Sequence, residues 1–142
     1  MARERGPAPP ARLLMARDLY DAMIAALLAA RPREGCGLIA TEGERARRLF
    51  PGTNTNESAV RYTMDPREVL AALLEIEARG WRLGAIYHSH PDGPARPSAT
   101  DRREAYYPEA LTVIVSLAGP EPRAAAFALG DGSARQVPLI ID

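Results

Sequence analysis

The chain has only two histidines, His88 and His90. They stand one residue apart in the run Tyr87-His88-Ser89-His90-Pro91. The apolar residues before them, Leu83, Ala85 and Ile86, read as a buried strand that Pro91 ends. Side chains at i and i+2 of a strand leave the same face, so the two imidazoles address one point. Asp101 follows in Pro97-Ser98-Ala99-Thr100-Asp101, with Ser98 one helical turn before it. Two nitrogens and a carboxylate oxygen leave a fourth tetrahedral position open, which is the ligand set of a catalytic zinc rather than a structural one. The chemistry this predicts is hydrolysis by zinc-activated water.

Such a reaction also needs a proton acceptor near the metal. Glu34, in Arg33-Glu34-Gly35-Cys36-Gly37-Leu38, lies at the mouth of an apolar strand beside glycines that permit close backbone approach. Spacing alone does not select it over Glu68 or Glu104.

The elements that must position these groups follow from periodicity and punctuation. Residues 1–11 mix Arg, Gly and Pro without period and read as a flexible tail, followed by a short strand at 12–16. Tyr20, Met23, Ile24, Leu27 and Leu28 recur at helical spacing over 17–30, and Pro32 stops that helix. Residues 35–41 and 45–50 read as a hairpin turned at Glu42-Gly43-Glu44, then 51–57 as a loop and 61–64 as a short strand. Asp65 as N-cap, Pro66 in the first turn and Glu68 at capping-box spacing open a second helix. Val69, Leu70, Leu73, Leu74 and Ile76 form its stripe, and Gly80 closes it. The histidine strand spans 81–90. A loop at 92–97 leads to a short helix that starts near Ser98 or Thr100 and ends before Pro108. Strands at 111–117, 123–129 and 134–141, turned at 118–120 and 130–132, complete the set. The expected fold class is α+β, a mixed, largely antiparallel sheet with two main helices and a short helix after the histidine strand, in a single domain over 12–142.

At 142 residues with 46% apolar and 25% charged content, the chain is one domain's worth of globular protein. A formal net charge of zero gives no electrostatic case for nucleic acid or an anionic membrane. The single Cys36 excludes an internal disulfide framework and a cysteine-based zinc site, and it fits a reducing, cytoplasmic setting. No apolar run is long enough to span a bilayer. All basic side chains are Arg, so no lysine is available to accept a modifier. Cys36 reads as a small buried hydrophobe on the side of Glu34. Ser89 faces away from the imidazoles and reads as structural. Tyr106 and Tyr107 read as core and rim, and Arg45, Arg47 and Arg48 as a solvated hairpin edge.

Glu34 with Gly37, then His88-Ser89-His90-Pro91, six intervening residues, Ser98, two more and Asp101, resembles the signature of the JAMM (MPN-plus) metallopeptidases. The resemblance covers nearly the whole chain after residue 11, and the absence of long insertions is similar to the compact prokaryotic branch. It implies a cytidine-deaminase-like α/β/α layering. It also implies one zinc per chain held by His88, His90 and Asp101, Glu34 as general acid/base, and Ser98 assisting the oxyanion. The implied substrate is an amide bond after the Gly-Gly tail of a ubiquitin-like or sulfur-carrier protein. The expected walls of a groove for that tail are the loop Asn54-Thr55-Asn56 and the loop at 92–96. Two other functions fit parts of the pattern: a metal-free MPN scaffold, which would have lost ligands, and a RadC-like protein linked to DNA repair, which would be longer. A zinc deaminase is excluded, because His-x-Glu and a downstream Cys-x-x-Cys are both missing.

Overall fold

The computed structural model describes residues 7–58, 60–130 and 133–142. In chain order its elements are β1 (Leu13–Met15), α1 (Arg17–Ala30), β2 (Cys36–Glu42), β3 (Arg45–Gly52), α2 (Pro66–Ala78), β4 (Arg82–His90), α3 (Ala99–Arg103), β5 (Leu111–Ser116), β6 (Arg123–Ala128), β7 (Arg135–Val137) and β8 (Leu139–Ile141). The strands make one 8-stranded sheet in the order β7-β6-β5-β4-β2-β3-β1-β8. Pairings β2–β3, β2–β4, β5–β6 and β6–β7 are antiparallel, whereas β4–β5, β1–β3 and β1–β8 are parallel. The sheet is thus mixed and largely antiparallel, as expected.

Alternation along the central strands gives each face its own core. Ile39, Ala85, Tyr87, Leu111, Val113 and Val115 pack with Met23 and Leu27 of α1. Leu38, Ala40 and Leu83 pack with Ala72 and Ile76 of α2 on the other face. The two long helices therefore sandwich the sheet, which is the α/β/α layering the resemblance implies. Leu83 and Ala85 fall on opposite faces because β4 carries a bulge: Ile39 pairs with Ala85 but Ala40 with Leu83, leaving Gly84 as the extra residue. A Cβ on Gly84 would lie 2.1 Å from Thr41 Oγ1, so only glycine fits there. Beyond the bulge, Ile86, His88 and His90 share the α2 face.

Local chemistry explains the helix ends. The Asp65 carboxylate accepts from the Arg67 N–H, Pro66 occupies the first helical position, and Gly80 at φ +71° terminates the turn after α2. Glu68 does not close the expected capping box. Its carboxylate instead accepts from Thr53 N at 2.6 Å and Thr53 Oγ1 at 3.0 Å, while Asp65 N donates to Thr53 O. That pins α2 to the exit of β3.

Three expectations need correction or delimiting. Residues 61–64 are not a strand; an isolated bridge from Asn54 to Met64 is all the pairing this segment makes among the described residues. Residues 134–141 are not one strand but two, divided at Pro138, which has no N–H for a ladder and whose carbonyl accepts from Leu13 N at 2.9 Å. β7 and β8 thereby lie at opposite ends of the strand order although one residue separates them. The expected turn at 130–132 and tail at 1–11 fall partly on residues 131–132 and 1–6, which lie outside the described residues. Within 7–11, the Ala8 carbonyl accepts from Arg82 Nη2 at 2.8 Å and Pro10 is buried.

Candidate metal centre

The last turn of β4 delivers both imidazoles to the α2 face, one pleat apart. His88 is fully buried and His90 half-buried. Asp101 arrives from the first turn of α3, which is fixed by a capping box: Ser98 Oγ accepts from Asp101 N at 3.1 Å, and Ser98 N donates to Asp101 Oδ2 at 2.8 Å. The three predicted ligands meet. His88 Nε2 and His90 Nε2 are 3.2 Å apart, with Asp101 Oδ1 3.1 Å from the first and Oδ2 3.0 Å from the second. Tetrahedral zinc with bonds of about 2.0–2.1 Å separates its donors by roughly 3.3 Å. The donor set therefore fits a single metal ion without rearrangement.

The protonation states of His88 and Asp101 favour the same use, whereas that of His90 means a metal must displace its proton. Burial pulls the His88 pKa down, outweighing the hydrogen bond its ring would donate to the Asp101 carboxylate, so the ring is held neutral. Burial also acts to lower His90, but hydrogen bonds to Asp101 and the Pro94 carbonyl prevail and raise it. Asp101 would be raised by burial, yet the two imidazole hydrogen bonds hold its carboxyl well below the usual carboxylate range. His90 Nδ1 is 2.8 Å from Pro94 O. Donation there fixes the tautomer that leaves Nε2 free to ligate. The loop carrying Pro94 is itself tied down by Ser116 Oγ, which donates to Gly93 O at 2.6 Å.

Glu34 is buried at the entrance to β2, and its carboxylate oxygen and the two imidazole nitrogens all lie within 4.8 Å of one another. Burial pushes its pKa up to about 7; His90 opposes the rise and Asp101 adds to it. That value suits a group that takes and returns a proton near neutrality. Ser89, on the opposite face of β4, positions this entrance. Its Oγ accepts from Gly35 N at 2.9 Å and its N–H donates to Gly35 O at 3.0 Å. The two rival carboxylates are engaged elsewhere, Glu68 with Thr53 and Glu104 in a 3.5 Å ion pair with Arg61. Cys36 sits directly across the sheet from His88, buried, with its thiol pushed up to about 12 by burial and then by Glu68 and Glu34.

Tyr62 was not foreseen. Its ring stacks on His88 with centroids 4.8 Å apart and planes at 29°. Burial raises its hydroxyl pKa, and the charges of Cys36, Asp101, Glu34 and Glu104 add to the rise. No periodicity marks the residue, because the segment carrying it is irregular. Its position three residues before the Asp65 cap was the available cue.

Beside the ligands opens a cavity of about 570 Å³, running from His88 and Asp101 past Tyr62 to Leu70 and Leu73 of α2 and to Tyr106 and Tyr107. Tyr107 packs into the α2-side core while Tyr106 is exposed, so the pair divides between core and rim in the reverse of the expected order. The cavity is lined by residues 61–64, α2 and much of the stretch 100–107, and neither of the loops expected at 54–56 and 92–96 lines it. Those loops act from behind, one on Glu34 and the other on His90.

Comparison with known proteins agrees with this geometry. The family profile described as prokaryotic homologs of the JAB domain matches residues 16–128. A probable TtuB-protein conjugate cleaving protease of Thermus thermophilus is 44% identical over 94 residues, covering 66% of this chain and 63% of that protein, slightly under two thirds of its length. A CysO-cysteine peptidase of Mycobacterium bovis is 34% identical over 130 residues, covering 89% of each chain. The solution structure of a Desulfitobacterium hafniense protein superposes with a TM-score of 0.82 at 32% identity, covering 92% of both chains. Fold, donor set and sequence agree, and the chain belongs to the prokaryotic JAB (JAMM/MPN) domain family.

Proposed function

We propose that this protein is a zinc-dependent peptidase or isopeptidase that cleaves the amide bond after the Gly-Gly tail of a ubiquitin-like or sulfur-carrier protein. The observation that carries the reading is the convergence of His88, His90 and Asp101 on one point with the Glu34 carboxylate alongside. The named activities of the Thermus and Mycobacterium relatives support the substrate class. The buried single thiol is compatible with a cytoplasmic setting, and no helix among the described residues is long and apolar enough to cross a membrane.

In this reading His88, His90 and Asp101 hold the zinc. When bound, the metal supplies a Lewis acid that polarises the scissile carbonyl and acidifies water to a pKa of about 7. Glu34 accepts the proton of the attacking water and delivers it to the departing amine. In the metal-free chain burial raises this carboxyl to about 7, above the ordinary carboxylate range, which suits a group that both takes and returns a proton. Ser98 Oγ already accepts from Asp101 N, so its own O–H stays available to donate to the developing oxyanion. The stacked Tyr62 ring and the burial of His88 keep bulk water from one side of the site.

The test is to incubate the zinc-loaded protein with carrier proteins extended beyond Gly-Gly, or joined through lysine, and to follow cleavage by mass. Glu34→Gln should keep its zinc and lose roughly 10²–10⁴-fold in turnover; His88→Ala should lose zinc and turnover together. Cleavage by Glu34→Gln at the wild-type rate removes Glu34 from its role. A wild-type protein that takes up no zinc removes the hydrolase reading in favour of a scaffold.

A further inference from the structure

We infer that Asn54 is a positioning residue that fixes two parts of the centre at once, the Glu34 carboxylate and the Tyr62 ring on His88. Its side-chain amide uses all of its hydrogen-bonding capacity. Nδ2 donates to Glu34 O at 2.9 Å and to Arg61 O at 3.5 Å, while Oδ1 accepts from Asn56 N at 2.9 Å and Thr63 N at 3.0 Å. Both donors face carbonyls and the acceptor faces two N–H groups, so the amide orientation is determined by its partners.

The placement of those partners is what matters. Arg61 and Thr63 flank Tyr62, so one amide grips the backbone on either side of the ring that stacks on His88 at 4.8 Å. The third partner is the carbonyl of Glu34 itself, two residues before β2 begins. Asn54 is anchored by its own bridge to Met64, at the far end of the same irregular segment. Two backbone bonds, Thr55 N to Thr63 O at 2.8 Å and Asp65 N to Thr53 O at 3.0 Å, hold the far end of the segment, and this amide extends that hold across Tyr62 to Arg61. A side chain elsewhere in the loop reaches only one of these groups: Asn56 Nδ2 bonds Thr63 Oγ1, and Thr55 Oγ1 bonds Thr63 O.

The inference rests on Glu34 being the proton carrier for its catalytic half, and on geometry alone for its Tyr62 half. Two variants separate the halves. Asn54→Asp keeps the acceptor for Asn56 and Thr63 but loses donation to Glu34 and Arg61; Asn54→Ala loses all four bonds. Only two histidines contribute imidazole C–H resonances, so His88, shifted by the Tyr62 ring current, is readily followed by NMR in each protein. Tyr62→Leu gives the unstacked reference. The expected result is that Asn54→Ala moves the His88 resonances to the Tyr62→Leu position, while Asn54→Asp leaves them in place. In the cleavage assay Asn54→Asp should lower kcat by roughly tenfold to a hundredfold with KM within about twofold, because misplacing a catalytic group costs rate rather than binding. An unchanged His88 resonance in Asn54→Ala overturns the inference whatever the substrate proves to be. Wild-type kcat in Asn54→Asp, in an assay where Glu34→Gln is inactive, overturns its catalytic half. A wild-type protein that fails to cleave counts against the proposed reaction and leaves the resonance test to decide for Asn54.

Discussion

Gly37 should be intolerant of even one added carbon, and the reason lies in a single cross-strand pair. Gly37 on β2 stands directly opposite Tyr87 on β4, and the tyrosine ring lies across it. A Cβ on residue 37 would meet Tyr87 Cζ and Oη at 2.2 Å and Cε1 at 2.5 Å. Carbon contacts settle at roughly 3.5–4.0 Å, so ring and strand must separate by about 1.5 Å. Neither yields easily, since Tyr87 is fully buried and β2 is hydrogen-bonded on both sides. Overpacking of this kind costs about 1–3 kcal/mol, and a displacement this large against a fully buried aromatic ring belongs at the upper end, so Gly37→Ala is assigned about 3 kcal/mol. Urea unfolding of the metal-free protein measures it. The decisive comparison is a double-mutant cycle with Tyr87→Leu, in which the same Gly37→Ala change should cost under about 1 kcal/mol, a coupling of about 2 kcal/mol. Because His88 follows Tyr87 and Glu34 precedes β2, the folded fraction of Gly37→Ala should also bind zinc less tightly, and the double variant should recover it. An equal cost of Gly37→Ala in both backgrounds refutes the steric account.

Two further outcomes follow from the buried ionisable groups. Glu34 is raised to about 7 in the folded chain from an ordinary 4.5, so the metal-free folded state holds a proton that the unfolded state releases across that window. Stability must then fall as pH rises from about 4.5 through about 7. At about 1.4 kcal/mol per unit, urea unfolding should show wild type losing up to roughly 3 kcal/mol relative to Glu34→Gln over that range; parallel pH profiles would sink the assignment. For Cys36, a thiol pushed up to about 12 and buried beneath α2 presents almost no thiolate at pH 8. Its labelling by a disulfide reagent should be at least about a hundredfold slower in native than in urea-unfolded protein, and comparable rates would place it at the surface instead.

Much of the candidate centre was legible because each of the three predicted ligands sits on a regular element. Strand alternation placed His88 and His90 together, and the Ser-x-x-Asp spacing that makes a capping box is the same spacing that turns Asp101 toward them. Periodicity gave α1 and α2 near their observed limits. Glu34 needed the family pattern, since the contact between the entrance of β2 and the end of β4 spans 54 residues of chain and leaves no local trace. Tyr62 and Asn54 escaped for the opposite reason: their roles depend on an irregular loop whose shape is set by side-chain amides rather than by a repeating pattern. Sheet order was equally hidden. Parallel neighbours such as β4 and β5, or β1 and β8, are not joined by turns, so only the three-dimensional pairing reveals them.

The position of β8 bears on how the chain is made. Leu13, Leu14 and Met15 take Leu139, Ile140 and Ile141 as partners, and Arg45 on β3 holds Asp142 through two hydrogen bonds. During synthesis the first strand therefore emerges with one flank lacking its partner, and that flank stays open until residues 139–141 have followed. An open flank recruits other chains. A chain cut short before Leu139 would keep every residue of the candidate centre and still leave the first strand with β3 as its one partner among the described strands.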